Sequence, residues 1–351
     1  MKCPKCSSEN IKSEGNRSLY SKSITFDFFE CGDCGMQFAE NPDSQQEEST
    51  RSLPSKEELI EKIRQKHKKE DERQEKIENL LNGNPFQPPP LFNALNNLKN
   101  KNNPSSEEIA DLLGKFPFLG ERLLELINGP CFFDQDTFQN FRDLLENWPL
   151  EAVAQMVLAL EIVDLIQTPE SFLVSKNAFW THGIVSGLAA KSIANFLGEE
   201  NNQKYFLAGL VLNIGRLILA NHFPDATFKA VTLCKNSGSS LFEAEEKVFD
   251  FTHAQIGGNL LRKWGFENAI TEGVIYHHRP NDLKNPSQSV YILHLSEAIA
   301  HDLKLGSSGE KHFPRPDSLA VQSLGLTRSL LENIKGNVTS LTDEAKRLII
   351  A

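Results

Sequence analysis

Before residue 40 the apolar residues alternate with polar ones; from residue 85 onward they recur at helical spacing, and between the two lies a stretch almost without them. The alternation from Ser18 to Phe29, rich in Phe and Tyr, predicts β-strands, and Met36-Gln37-Phe38 adds a short strand. Residues 41–54 are polar and acidic, with Pro42 and Pro54, the composition of a linker. A helix follows, with Ser55 and Glu58 as a capping box and Gly83 beyond its last apolar pair, Leu80-Leu81. Its middle, Gln65 to Lys76, is almost all charged, which predicts a solvated spacer rather than a coiled coil.

The rest of the chain reads as helices with short breaks. Ser105 and Ser106 cap a helix through Ile109, Leu112 and Leu113. Leu119, Leu123, Leu124 and Ile127 continue the period until Gly129-Pro130 stops it. Phe138, Phe141, Leu144 and Leu145 mark another apolar face. Ala152 to Ile166 is apolar almost all round, which predicts a buried helix. The 351 residues suit two or three domains, divided as 1–40, 41–84 and 85–351.

Composition changes this picture little: 39% hydrophobic and 24% charged residues are ordinary for a globular chain. The net charge of −10 argues against non-specific nucleic-acid binding by the whole chain. No opening stretch reads as a secretory signal. The longest apolar runs are broken by Gln155, Glu161 and Asp164, or by Asn213 and Arg216, so no membrane span is expected and a cytoplasmic location is.

Two constellations carry chemistry. The first is Cys3-Pro4-Lys5-Cys6 with Cys31-Gly32-Asp33-Cys34. Each pair makes a tight knuckle, and two knuckles complete a tetrahedral four-thiolate site. A segment of about forty residues buries too little core to fold alone, so a structural metal is expected, with zinc first. A rubredoxin-like iron site, a pair of disulfides and a redox CxxC are the alternatives. The segment is not basic, which favours a folding staple or a protein-docking knob over nucleic-acid binding. Cys131 and Cys234 are isolated in apolar surroundings and read as small buried hydrophobes.

The second constellation stands in order: Trp180-Thr181-His182, then AGLVLNIGRL over 208–217, then His253, then His277-His278-Arg279-Pro280. Adjacent residues on a helix point about 100° apart, so His277 and His278 can share one pocket only from a helix end, which Pro280 supplies. Asn213 and Arg216 are expected to join these imidazoles in a polar network, and Arg216 offers a donor to a small anionic or nucleotide ligand. His222, His294, His301 and His312 read as core histidines, and His67 as exposed.

The Pro-rich lead before Leu91, the stretch SSEEIADLLGKFPFLGERLLELING and this ordered set together resemble an HDOD domain over roughly 85–300. HDOD domains are catalytically degenerate members of the HD superfamily, related to HD-GYP proteins. AGLVLNIGRL is similar to the superfamily string AGLLHDIGRL, with Leu212 where the metal-binding His would be and Asn213 where the Asp would be. Gly183 replaces a usual Ser, Asp250 and Thr252 stand where Gly and Asp often precede the next His, and Glu297 stands near the last metal Asp of related enzymes.

The resemblance implies an all-α HD-like bundle, preceded here by a small β zinc ribbon and a helical spacer. It implies a non-catalytic signalling or regulatory protein that works through contacts with a signalling partner or by sensing a ligand. The alternatives are a metal-dependent phosphohydrolase of nucleotides or cyclic nucleotides, and a nucleic-acid-associated regulator acting through the ribbon. Leu212-Asn213 decides against the enzyme, because neither side chain offers the anionic donor that a hydrolytic metal centre needs.

Overall fold

A computed structural model describes residues 2, 6–20, 24–40, 56–82, 86–101, 104–132, 137–169, 174–313 and 316–350. Cys3, the linker at 41–54 and the end residues Ser55 and Gly83 lie outside them. Three antiparallel strands open the chain: β1 (Ile11–Tyr20), β2 (Ile24–Cys31) and β3 (Gln37–Glu40), in that order across the sheet. Ile11 faces Cys31 and Phe29 faces Phe38. The turn after β2 is closed by Cys31 N donating to Met36 O and Gly35 N to Cys31 O. Gly35 sits there at φ +69°, a conformation that costs glycine nothing.

All the other regular elements are helical. The first, α1 (Lys56–Leu81), is not a free spacer over its whole length. Ile77 and Leu81, one turn apart, are buried in the main core. Gln74 donates to Asn259, and Lys76 and Arg73 approach Asp250. The charged middle hid this because its polar partners lie more than 170 residues away in the chain.

Short helices follow: α2 (Pro90–Lys99), α3 (Ser106–Gly114), α4 (Pro117–Asn128) and α5 (Phe141–Asn147). Ser105 and Glu108 form a reciprocal capping box on α3. Proline stands in the first turn of α2 and of α4, where its missing N–H costs nothing. Helix α6 (Leu150–Leu165) is buried on nearly every face, as its uninterrupted apolar run requires.

Helix α7 (Lys176–Phe196) is the centre of the bundle. Packed on it are α8 (Gln203–Leu210), α14 (Gln288–Leu303) and α16 (Arg328–Ile349). A Cβ at Gly183 would stand 2.3 Å from the Leu210 carbonyl, so the Gly in place of Ser sets how closely α7 and α8 approach. After α8 come α9 (Ile214–His222), α10 (Pro224–Ser237), α11 (Leu241–Phe249), α12 (His253–Lys263) and α13 (Asn268–Tyr276). A short α15 (Ser318–Ser323) precedes α16. The segment Gln203–His222 is apolar enough to match a membrane span, but a turn at 211–213 divides it and most of its residues lie in the core.

Asp250 takes the left-handed conformation at the end of α11, φ +67°, which explains the glycine preference there and why a short Asp is tolerated. Thr252 caps α12 through Gln255 N in a capping box, the role an Asp would also fill. Two of the histidines expected in the core are not there: His222 and His312 are exposed. Cys131 and Cys234 are buried, and burial pushes the Cys131 thiol up to about 11.

Candidate functional site

The loop that matters most joins α8 to α9. The helix stops at Leu210, Val211–Asn213 form a turn, and Arg216 N picks up Asn213 O as α9 begins. Leu212 points into the apolar core and is fully buried. Asn213 faces the other way, towards α14, where its Nδ2 donates to Glu297 Oε1 at 2.9 Å.

Glu297 Oε1 gathers two more nitrogens, His182 Nε2 from α7 at 3.1 Å and His301 Nε2 from its own helix at 3.2 Å. Glu297 and His301 are four residues apart, so they share one face of α14. Burial alone would raise the Glu297 pKa, but the His182 imidazole and then His301 outweigh it and hold the carboxyl well below its ordinary range. Sequence reasoning placed Glu297 near a lost metal ligand and took His301 for core; their i, i+4 spacing was the available signal.

The second group lies around His253. Its ring starts α12, and Nδ1 stands 2.5 Å from Glu245 Oε2, which also accepts from the His253 N–H. Its Nε2 meets His278 Nε2 at 3.2 Å, so one of the two rings donates and the other accepts. Helix α13 ends at Tyr276, and His277 and His278 leave its end with ring centroids 4.2 Å apart. His277 Nδ1 donates to the Val274 carbonyl at 2.7 Å, and its Nε2 has no partner among the described residues. Burial pushes the His277 pKa down to about 3 and the His278 pKa well below its ordinary value, so these rings are neutral near pH 7. His294 ties this group to the chain beyond it: Nδ1 donates to His277 O, and Nε2 accepts from Asp317 N.

Arg216 is spent inside the protein. Its Nε donates to Glu245 at 3.2 Å, one terminal nitrogen to Ser308 O and Oγ, and the other to Glu310 at 3.4 Å. Two carboxylates match its charge, and it is 2% exposed. It therefore orients Glu245, and through it His253. The structure thus brings Asn213 and His182 together around Glu297, Arg216 and His253 together on Glu245, and His277 and His278 against the His253 ring. Phe313 spans the two groups, stacked on His301 at 4.6 Å and tilted on His278 at 5.7 Å.

A two-cation hydrolytic centre does not fit these residues. Leu212 supplies no donor, Asn213 supplies a neutral amide, and the Glu245 carboxylate is already matched by Arg216 and His253. That leaves one carboxylate, Glu297, against four positive charges. In the sheet domain, Cys6 Sγ lies 3.6 Å from Cys31 Sγ, and the sulfurs of Cys6, Cys31 and Cys34 are all within 4.8 Å of one another. Asp33, inside the second knuckle, accepts from Ser8 and Asn10 and so ties the stretch after Cys6 to it.

A protein-family model described as the HDOD domain matches residues 86–280. An HDOD domain protein of unknown function from Geobacter sulfurreducens superposes with a TM-score of 0.58 at 21% identity, covering 76% of this chain and 93% of that one. A candidate phosphohydrolase from Shewanella amazonensis SB2B gives 0.56 at 17% identity, with 76% and 99% covered. A candidate signal transduction protein from Marinobacter aquaeolei VT8 gives 0.57 at 18%, with 76% and 60% covered. At these identities the likeness is one of fold. An uncharacterized protein of Treponema pallidum (strain Nichols) is 18% identical over 172 residues, 49% of this chain; the matched part is 33% of that relative's length.

Proposed function

Since the chain belongs to the HDOD domain family, we propose that it is a non-catalytic regulatory protein, acting through contacts with a signalling partner or by sensing a ligand. The observation that carries this reading is Leu212-Asn213. A buried aliphatic side chain and a neutral amide occupy the two positions from which an HD hydrolase would hold its metals. Activating water near neutral pH requires a firmly held cation with an open position, and charge stabilisation is most of such chemistry. A naming analogy favours the opposite reading, since one structural neighbour carries a phosphohydrolase name. Incubating the full chain with manganese, iron or magnesium and a panel of nucleotides and cyclic dinucleotides separates the two. No turnover above background is expected; turnover that disappears in His253→Ala would refute the reading.

The same proposal places the protein in the cytoplasm, with residues 1–40 as a zinc ribbon, 41–84 as a linker and a helix whose end docks on the bundle, and 85–351 as the regulatory unit. Zinc would be held by Cys3, Cys6, Cys31 and Cys34. The grouping of Cys6, Cys31 and Cys34 supports a metal there. The ribbon would act as a staple or docking module, not as a reader of nucleic acid.

A further inference from the structure

Beyond α14 the chain turns back over the bundle. Residues 304–313, KLGSSGEKHF, form an irregular strap that lies past the stretch matched by the family model. Ser307 N donates to the Ala178 carbonyl of α7 at 2.9 Å. Gly306 lies so close to the same helix that a Cβ there would stand 2.3 Å from His182 N. Ser308 and Glu310 between them take both terminal nitrogens of Arg216. Glu310 Oε2 also accepts from Leu241 N at 2.7 Å and Phe242 N at 3.4 Å, at the start of α11, while Oε1 accepts from His312 N. Phe313 then lies against His301 and His278. One short segment therefore touches both histidine groups and the arginine between them.

We propose that this strap is a hinged cover, latched by Glu310 on Arg216 and the start of α11, which opens as a unit while the bundle stays folded. Hinge positions are present: Lys304 ends α14 at φ +54°, and Gly309, at φ +90°, adjoins the latch. The hold is mainly polar. Leu305 is exposed and Phe313 half-buried, so detachment uncovers little apolar surface, as in segments that open well below the free energy of global unfolding. The packing of α7 on α8, α14 and α16 runs from helix to helix and does not pass through the strap. Glu310 is the latch because its carboxylate is buried on a guanidinium and two backbone donors, whereas Lys304 and Lys311 are exposed.

This goes beyond the regulatory reading and does not rest on it. With the strap closed, His182, His253, His277 and His278 are each no more than 7% exposed. Lifting Phe313 from His301 and His278 brings the rings towards solvent from that side, and freeing Arg216 from Glu310 and Ser308 releases its terminal nitrogens. Opening and closing therefore switches the histidine groups between a sealed and an accessible state.

Native-state hydrogen exchange of the full chain, read amide by amide at low denaturant, tests this. The reporters are the Ser307, Gly309 and His312 amides in the strap and the Leu241 and Phe242 amides under the latch. In the wild type they should exchange together, faster than the amides of α7 and α14 and with a smaller denaturant slope, because opening exposes less surface than unfolding. Glu310→Gln keeps the side chain's shape and removes its charge, and should speed the reporters roughly 10- to 100-fold. Modification of His278 by diethyl pyrocarbonate should quicken by a similar factor, with that of exposed His222 unchanged. Gly306→Ala, whose Cβ would meet α7, should do the same without touching the latch. Four results would overturn the proposal: wild-type reporters with the rate and slope of α14, reporters unmoved by both variants, faster reporters with His278 labelling unchanged, or loss of the folded bundle in both variants.

Discussion

Asn213 and Glu297 show how one atom changes what a site tolerates. The amide donates to Glu297 Oε1 at 2.9 Å; a carboxylate there would place a second negative charge against the first in a buried space. Asn213→Asp should therefore lower stability at neutral pH by about 1–3 kcal/mol. Urea denaturation of wild type and variant reads the loss. The imidazoles set a pH dependence of their own. His277, lowered to about 3 by burial, stays neutral in the fold, while the unfolded chain takes up a proton below its ordinary value of 6.5. Its penalty is absent above that value and grows as pH falls towards the folded pKa, by about 1.4 kcal/mol per pH unit. Stability should decline from about pH 6.5 downward, and His277→Asn, which can still donate to the Val274 carbonyl, should make the decline shallower. The roles of His182, Asn213 and the histidine pair were suggested by residue type and order. The pairing of Glu297 with His301 was not, because sequence shows that two residues share a helix face and not what that face meets.

At the scale of elements, the helical period located α3 to α6, since a buried apolar stripe must repeat every three to four residues wherever tertiary packing stabilises a helix. Helix α6 was legible for that reason. The docking of α1 was not. Its middle is charged, and among the described residues its apolar contact with the bundle is made by Ile77, Leu80 and Leu81 at its end. Ile77→Ala should cost about 2–4 kcal/mol if that contact belongs to the folded state, and close to nothing if α1 stands free. Thermal denaturation of the full chain distinguishes these. The conformation of Asp250 was likewise hidden: a left-handed residue is signalled by glycine and only weakly by Asp.

At the scale of the molecule, the chain joins a three-stranded sheet bearing clustered cysteines to a bundle built around α7. The sheet domain has little core of its own, and a metal would supply most of its stability. Chelation should abolish its order while the helical far-ultraviolet signal of the bundle persists, and metal analysis should find about one zinc per chain on the cysteines, lost in Cys31→Ser. A sheet that stays ordered without metal would contradict this assignment. The bundle has the HDOD fold, yet the fold alone leaves open whether its centre reacts or only binds, and the proposed reading rests on Leu212-Asn213. The most direct measurement is to make Leu212→His together with Asn213→Asp and assay wild type and variant side by side, with manganese or iron, against nucleotides and cyclic dinucleotides. The account predicts background rates for the wild type and turnover only in the double variant. Wild-type turnover that needs His253, and that the double change does not raise, would contradict it.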